Sequence, residues 1–359
     1  MGGYHRAMTA TSHIRAEQRG RLGIIRLDRS KALNALDLGM IQAMQPILDA
    51  WADDASIDAV LVKGEGRAFC AGGDVKAVWE AVKRGDNDTA HAFFSEEYRL
   101  DLTIHRFPKP FISFLNGLVM GGGGGISILG SHRVVTENTV YAMPECAIGL
   151  YPDAGGTWYL PRLPGALGVY IGLTGARLGA ADFLYAGLGT HFVPADRLVG
   201  LEEAWSRASE ITPQMLADSL EAAGMQAAPS GLAARQADID RLFGGGRVED
   251  ILDALRAEPG EWAAGLLKGM EGDSPYSMKV TLRQIQAGRD LDLPQALNLE
   301  YRLSTRMCHE HDFLEGIRAV LVDKDRSQKW EYVVAQDVPD ERVAALFDAL
   351  PVDKELMLK

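Results

Sequence analysis

The chain has 359 residues, 47% hydrophobic and 24% charged, with a formal net charge of −12. That is the balance of a globular protein able to bury a core without disulfides, and its acidic excess excludes nucleic acid as the main partner, because duplex binding needs a basic footprint. There is no run of about eighteen apolar residues to cross a bilayer, and Cys70, Cys146 and Cys308 form neither an even framework nor a CxxC pair, which points to a reducing compartment.

Residues 1–12, "MGGYHRAMTATS", read as a loose N-terminus. They contain no apolar signal core, and Gly2 lacks the downstream Ser or Thr that myristoylation needs. "GIIRLD" (Gly23–Asp28) and "AVLVKG" (Ala59–Gly64) read as strands. Between them, Asp37 is placed to cap a helix whose Ile41, Met44, Leu48 and Trp51 share one face. "PFISFLNG" (Pro110–Gly117) and "HRVVTE" (His132–Glu137) are further strands. Their continuous apolar character predicts burial on both faces, as in α/β proteins. Past residue 200 the strand signals fade. Val248, Ile251, Leu252 and Leu255 mark an amphipathic helix, and "FGGGR" (Phe243–Arg247) is the linker before it. Ser274 is set to cap another helix, with Pro275 at its first position and Gly288 past its end. Phe313, Ile317, Val320 and Leu321 mark a third. The expectation is an α/β part over residues 13–210 and a helical part over 211–359.

The run "MGGGGGISILG" (Met120–Gly130) removes five side chains in succession. It is no phosphate-cradling P-loop, for no Gly-Lys-Ser or Gly-Lys-Thr follows, and GxGxxG fails because Ile126 or Ser127 occupies its last position. Its apolar flanks predict a buried turn where backbone must come close to something. "GRAFCAGGDVK" (Gly66–Lys76) supplies a second small-residue strand exit, Ala71-Gly72-Gly73. Two such exits can aim two backbone N–H groups at one oxygen, which is an oxyanion hole.

In "YAMPECAIGLYPDAGG" (Tyr141–Gly156), Glu145 sits among Met143, Pro144, Ala147 and Ile148. Desolvation there raises a carboxyl into a useful acid–base range; the competing reading is a helix-start Glu bound to backbone N–H groups. Asp153 reads locally as a turn or cap residue. In "HEH" (His309–His311) the two rings face apart on a helix, so no metal is expected. His105 and His132 have no triad partners and GxSxG is absent. Cys70 and Cys146 read as small core residues.

Taken in order, "KALNALD", "FCAGGD", "NGLVMGGGGGIS" and "MPECAIGLYPDAGG" resemble the successive signatures of the crotonase (enoyl-CoA hydratase/isomerase) superfamily. "SPYSMKVTLRQ", "EYRLS" and "HDFLEGIRAVLVDKD" extend the resemblance toward the C-terminus and make it closest to the 3-hydroxyisobutyryl-CoA hydrolase branch. The implied fold is a spiral of ββα units followed by a helical C-terminal region. The implied reaction is hydrolysis of a short 3-hydroxyacyl-CoA thioester in valine breakdown, in the cytoplasm, with no cofactor beyond the coenzyme A of the substrate. The implied catalytic set is the N–H groups of Gly73 and Gly122 as oxyanion donors, with Glu145 and Asp153. The implied coenzyme A contacts are Lys31, Ala32, Leu33, Ala71, Gly72, Asp74, Lys76 and Gly121. Hydratases of the superfamily use two glutamates; the first position is Gly125 here and the second is Glu145. Two alternatives remain open: an enoyl-CoA hydratase or isomerase, and a non-catalytic acyl-CoA-binding protein. The superfamily assembles as trimers or dimers of trimers, so a homo-oligomer (trimer or hexamer) is implied, though the extra helices of the hydrolase branch bear on that packing.

Overall fold

The computed structural model describes the backbone of residues 6–10 and the whole of residues 13–359. Residues 1–5, 11 and 12 of the stretch read as a loose end lie outside the described residues. Arg6–Ala10 form strand β1, paired antiparallel with β2 (Ile14–Arg19).

The described chain divides into two compact units. The first holds the residues up to Gly73, Arg99–Tyr141 and Arg177–Ala233; the second holds Asp74–Tyr98, Ala142–Ala176 and Ala234–Lys359. The division therefore does not fall near residue 210, where the fading of strand signals set it. The chain leaves the first unit at Asp74–Tyr98 and again at Ala142–Ala176, and these two excursions together with the C-terminal segment Ala234–Lys359 make up the second.

The first unit carries the strands. After β2 come β3 (Leu22–Leu27), β4 (Ala59–Gly64), β5 (Ala68–Cys70), β6 (Phe111–Leu115), β7 (Leu118–Met120), β8 (His132–Val135), β9 (Val140–Ala142), β10 (Leu178–Gly179) and β11 (His191–Phe192). A seven-stranded sheet runs β1-β2-β3-β4-β6-β8-β11, antiparallel as far as β3 and parallel beyond it. Leu22, Ile24, Leu61, Ile112, Phe114 and Val134 pack with Trp205, Leu216 and Leu220. Helix α1 (Leu38–Asp53) is capped by Asp37, whose side chain accepts the Met40 N–H at 2.8 Å. It brings Trp51 so close to β3 that a Cβ on Gly23 would lie 2.7 Å from the indole. Both faces of the sheet are thus covered, as its apolar strands require. A second sheet, β10-β9-β7-β5, sets β5 parallel to β7. These are the strands that end in the two glycine-rich exits.

The second unit is helical. It contains α2 (Val75–Lys83) and α3 (Asn87–His105) as far as Tyr98. The helix Pro275–Ala287 begins as expected, with the Ser274 hydroxyl accepting the Ser277 N–H at 3.0 Å. The helix Leu293–Met307 opens with a capping box between Asp292 and Gln295. The helix His311–Ile317 runs into a π turn, Arg318–Val322. That turn shifts the helical face, which is why Phe313 and Ile317 are buried while Val320 and Leu321 are only partly covered.

Candidate active site

The first unit explains the glycines. Gly72 has φ +108°, and a Cβ there would sit 3.3 Å from the Met120 carbonyl oxygen. Gly121 has φ +46° and ψ −124°, a conformation that L side chains rarely adopt. A Cβ on Gly123 would lie 2.4 Å from the Cys70 carbonyl oxygen. The two strand exits therefore touch backbone to backbone. Gly122 is the first residue of α4 (Gly122–Ile128), so its N–H has no acceptor within that helix. Gly73 forms a parallel bridge with Leu36, whose N–H donates to the Gly72 carbonyl at 2.8 Å. The N–H of Gly73 takes no part in that bond. Ala71 donates to the Leu33 carbonyl at 3.0 Å.

The loop holding Lys31, Ala32 and Leu33 is pinned by Asn34, which local reading passed over. Its buried side chain donates to the Glu65 and Ala68 carbonyls at 2.9 and 2.8 Å and accepts the Arg29 N–H at 2.9 Å. Leu33 and Asn34 both take left-handed backbone, φ +54° and +57°. Lys31 is exposed and Ala32 and Leu33 are half-buried. In the second unit, Lys76 is exposed and lies 3.9 Å from Glu80. Asp74 caps α2 by accepting the Ala77 N–H at 3.1 Å, a structural duty sufficient to account for it.

The second unit holds both candidate carboxyls. Glu145 opens a short 3-10 turn, Glu145–Ile148, closed by Gly149 in left-handed conformation. A Cβ on Gly149 would lie 2.0 Å from the Asp312 carbonyl oxygen, and one on Gly316 would lie 2.4 Å from the Ile148 carbonyl, so turn and helix His311–Ile317 meet backbone to backbone. Ser274 donates its N–H to the Cys146 carbonyl at 3.1 Å and its hydroxyl to Asp312 at 2.5 Å. Glu145 is 6% exposed, and its Oε2 is buried without a hydrogen-bond partner. Burial, then the charge of Asp153, raises its carboxyl well above the ordinary range. The competing reading of a carboxylate tied to helix-start N–H groups is therefore not what the structure shows for that oxygen.

Asp153 is 7% exposed and bonded to the Tyr98 hydroxyl at 2.8 Å. The Tyr98 oxygen lies 2.6 Å from Ser304 Oγ, and Ser304 Oγ lies 2.7 Å from the Tyr151 hydroxyl. Tyr151 donates to the Glu300 carbonyl at 2.7 Å. Glu300 turns its carboxylate to α5 (Gly156–Tyr159), accepting the N–H groups of Gly155 and Thr157 at 2.9 and 2.8 Å. Burial nonetheless pushes Glu300 up to about 8. Tyr98, Tyr151, Glu300 and Ser304 are fully buried. No local pattern marks these four; Glu300 and Ser304 fall within the "EYRLS" stretch that carried the resemblance.

His91 also escapes local reading. With Cys308 and His309 it brings three potential ligand atoms within 4.8 Å of one another. Burial keeps the Cys308 thiol neutral, pushed up to about 12. The three cysteines are free and buried, and among the described residues no helix is long and apolar enough to cross a membrane.

A profile of the enoyl-CoA hydratase/isomerase family matches residues 22–347. The 3-hydroxyisobutyryl-CoA hydrolase, mitochondrial, of Xenopus laevis is 42% identical over 92% of this chain and 87% of its own length. The 3-hydroxyisobutyryl-CoA hydrolase 1 of Arabidopsis thaliana is 40% identical over 98% of this chain and 95% of its own. The crystal structure of an enoyl-CoA hydratase from Rhodobacter sphaeroides 2.4.1 superposes with a TM-score of 0.89 at 39% identity, covering 97% of this chain and all of that one. A carnitinyl-CoA dehydratase from Mycobacterium thermoresistibile gives 0.90 at 38% identity, covering 97% of this chain and 99% of that one. These likenesses overturn the expected cytoplasmic location, since relatives from Xenopus and Danio rerio are named mitochondrial. The expectation rested on a cysteine pattern that reducing compartments share, so it did not separate one from another. The chain has the crotonase fold and belongs to the enoyl-CoA hydratase/isomerase family.

Proposed function

We propose that this protein hydrolyses a short-chain 3-hydroxyacyl-CoA thioester, with 3-hydroxyisobutyryl-CoA as substrate, as a step of valine breakdown. Water and thioester give the free 3-hydroxy acid and coenzyme A thiol. The observation that carries the reading is Glu145, a buried carboxyl with an unpartnered oxygen, set beside the names of relatives about 40% identical over most of the chain. A structural site has little reason to desolvate a carboxylate in this way. In this mechanism the N–H groups of Gly73 and Gly122 polarise the thioester carbonyl. Glu145 takes a proton from the attacking water, or attacks to form an anhydride that water then opens. Asp153 receives the substrate hydroxyl. Lys31 and Lys76 face the phosphates of coenzyme A, Ala32 and Leu33 its adenine, and Ala71, Gly72, Asp74 and Gly121 the chain between. Assembly as a trimer or hexamer belongs to the same proposal; a solution mass equal to one 39.0 kDa chain would remove it.

One observation favours hydration of an enoyl-CoA instead. Glycine stands at position 125, where hydratases carry an acid, but Asp153 supplies a second buried carboxyl that raises Glu145. The deciding experiment measures thiol release from 3-hydroxyisobutyryl-CoA beside hydration of crotonyl-CoA, in the wild type and in Glu145→Ala. Thiol release that disappears in the variant supports the hydrolase. Consumption of crotonyl-CoA without thiol release moves the protein to the hydratase side.

A further inference from the structure

The hydroxyl chain beside Asp153 can be counted. Four oxygen–oxygen contacts run in sequence: Asp153 to Tyr98 at 2.8 Å, Tyr98 to Ser304 at 2.6 Å, Ser304 to Tyr151 at 2.7 Å, and Tyr151 to the Glu300 carbonyl at 2.7 Å. Each is a hydrogen-bond distance, and each needs one proton between its oxygens. The three hydroxyls supply three protons. The direction is fixed at one end, because a carbonyl oxygen only accepts: the Tyr151 proton points to Glu300. An ionised Asp153 only accepts, so Tyr98 would donate to it, and the single Ser304 proton could then fill only one of the two contacts Ser304 makes, to Tyr98 or to Tyr151. Two oxygens of buried side chains would face each other at about hydrogen-bond distance with no proton between them, an arrangement that buried polar groups avoid. Every contact holds a proton if the carboxyl brings its own and donates to Tyr98, Tyr98 donates to Ser304 and Ser304 to Tyr151.

We propose that Asp153 is a neutral carboxylic acid in the resting protein, its proton held on the oxygen facing Tyr98 and passed into a one-way chain through Tyr98, Ser304 and Tyr151 to the Glu300 carbonyl. Tyr98, Ser304 and Tyr151 are positioning residues that act through Asp153. The surroundings agree. The titratable groups facing this cluster are Glu145 from its 3-10 turn, Glu97 and Tyr98 from α3, Tyr151 from the loop and Glu300 from the helix Leu293–Met307, all acids or phenols. Burial raises the Asp153 carboxyl above its ordinary range.

The consequence for catalysis rests on the function proposed above; the protonation does not. Two neighbouring buried carboxyls do not both ionise at neutral pH without penalty. The chain favours the proton on Asp153, so that Glu145, raised by its own burial, ionises beside an uncharged neighbour. Asp153 then presents its second oxygen as an uncharged acceptor to a substrate hydroxyl.

The test is an isotope-edited infrared titration of protein carrying ¹³C-carboxyl aspartate, from about pH 4 to about pH 9. The wild type should show a carboxylic-acid C=O band, absent in Asp153→Asn, whose midpoint lies well above the ordinary aspartate value of 3.8. Ser304→Ala removes two contacts and one proton, so the remaining protons match the remaining contacts with Asp153 ionised; its midpoint should fall by about one pH unit. Tyr98→Phe removes the side-chain hydroxyl that would donate to an ionised Asp153, so its midpoint should stay or rise. A general loosening of the core would move both variants in the same direction. The proposal is overturned if the wild-type band is absent or titrates near 3.8, or if Ser304→Ala leaves the midpoint unchanged. No substrate is needed, so a protein that shows the band yet releases no thiol refutes the hydrolase reading and not this one.

Discussion

A carboxyl buried with an unpartnered oxygen weakens the fold, and the penalty depends on pH. Glu145 keeps its proton in the folded chain well above the ordinary value of 4.5 at which the unfolded chain loses it. Below that value both states are protonated and nothing is lost. As pH rises past it, the unfolded state ionises first and stability falls until the folded group ionises too. Glu145→Gln should therefore be more stable than the wild type at neutral pH, by about 1–3 kcal/mol, with the difference vanishing toward pH 4. Thermal denaturation across that range reads the effect. Thiol release in the same variant should drop by about a thousandfold. At the glycines the direction reverses. Gly123→Ala forces a methyl against the Cys70 carbonyl and should cost about 1–3 kcal/mol in urea denaturation. These residues were legible because their own neighbours declare them: an acid between apolar residues, and glycines between strand residues. Tyr98 and Ser304 were not. Their shared bond spans 206 positions, and Tyr98 meets Asp153 across 55, separations at which no local spacing rule applies.

Among the elements, α5 shows how a distant side chain can decide whether a short helix exists. Four residues cannot hold a helix by propensity, yet α5 begins where Glu300 accepts two of its first N–H groups. Glu300→Ala strands both donors in the core and should cost about 3–5 kcal/mol, measured by chemical denaturation. Glu300→Gln keeps an acceptor for one of them and should cost less. Capped helices and long strands were readable from the sequence: Asp37 and Ser274 cap as their type and spacing require, and β4 spans the residues quoted for it. The short strands β5, β7 and β9 were not, since three residues show no periodicity to read. Nor was the π turn after Ile317, because an extra residue per turn breaks the spacing by which a helical face is recognised.

At the scale of the molecule, the net charge of −12 opposes a polyanionic substrate, so local cations must offset it. Lys31→Ala should raise the KM for an acyl-CoA several-fold at low ionic strength with kcat nearly unchanged, and the difference should shrink in about 0.5 M salt. Steady-state kinetics at two salt concentrations decides it. The division into two units was not legible in the sequence, because each is assembled from segments far apart along the chain and local spacing rules do not reach across such separations. That interleaving has a consequence for synthesis. A ribosome releases Glu145 and Asp153 long before Ser274, Glu300, Ser304 and Asp312, the residues that hold their surroundings in place. A message interrupted anywhere between Ala233 and Leu293 would yield every segment of the first unit and both candidate acids, but none of the helix that orders them. Such a truncated product should display apolar surface to chaperones and proteases rather than persist as a slow enzyme, so late nonsense mutations should read out as missing protein and not as reduced turnover.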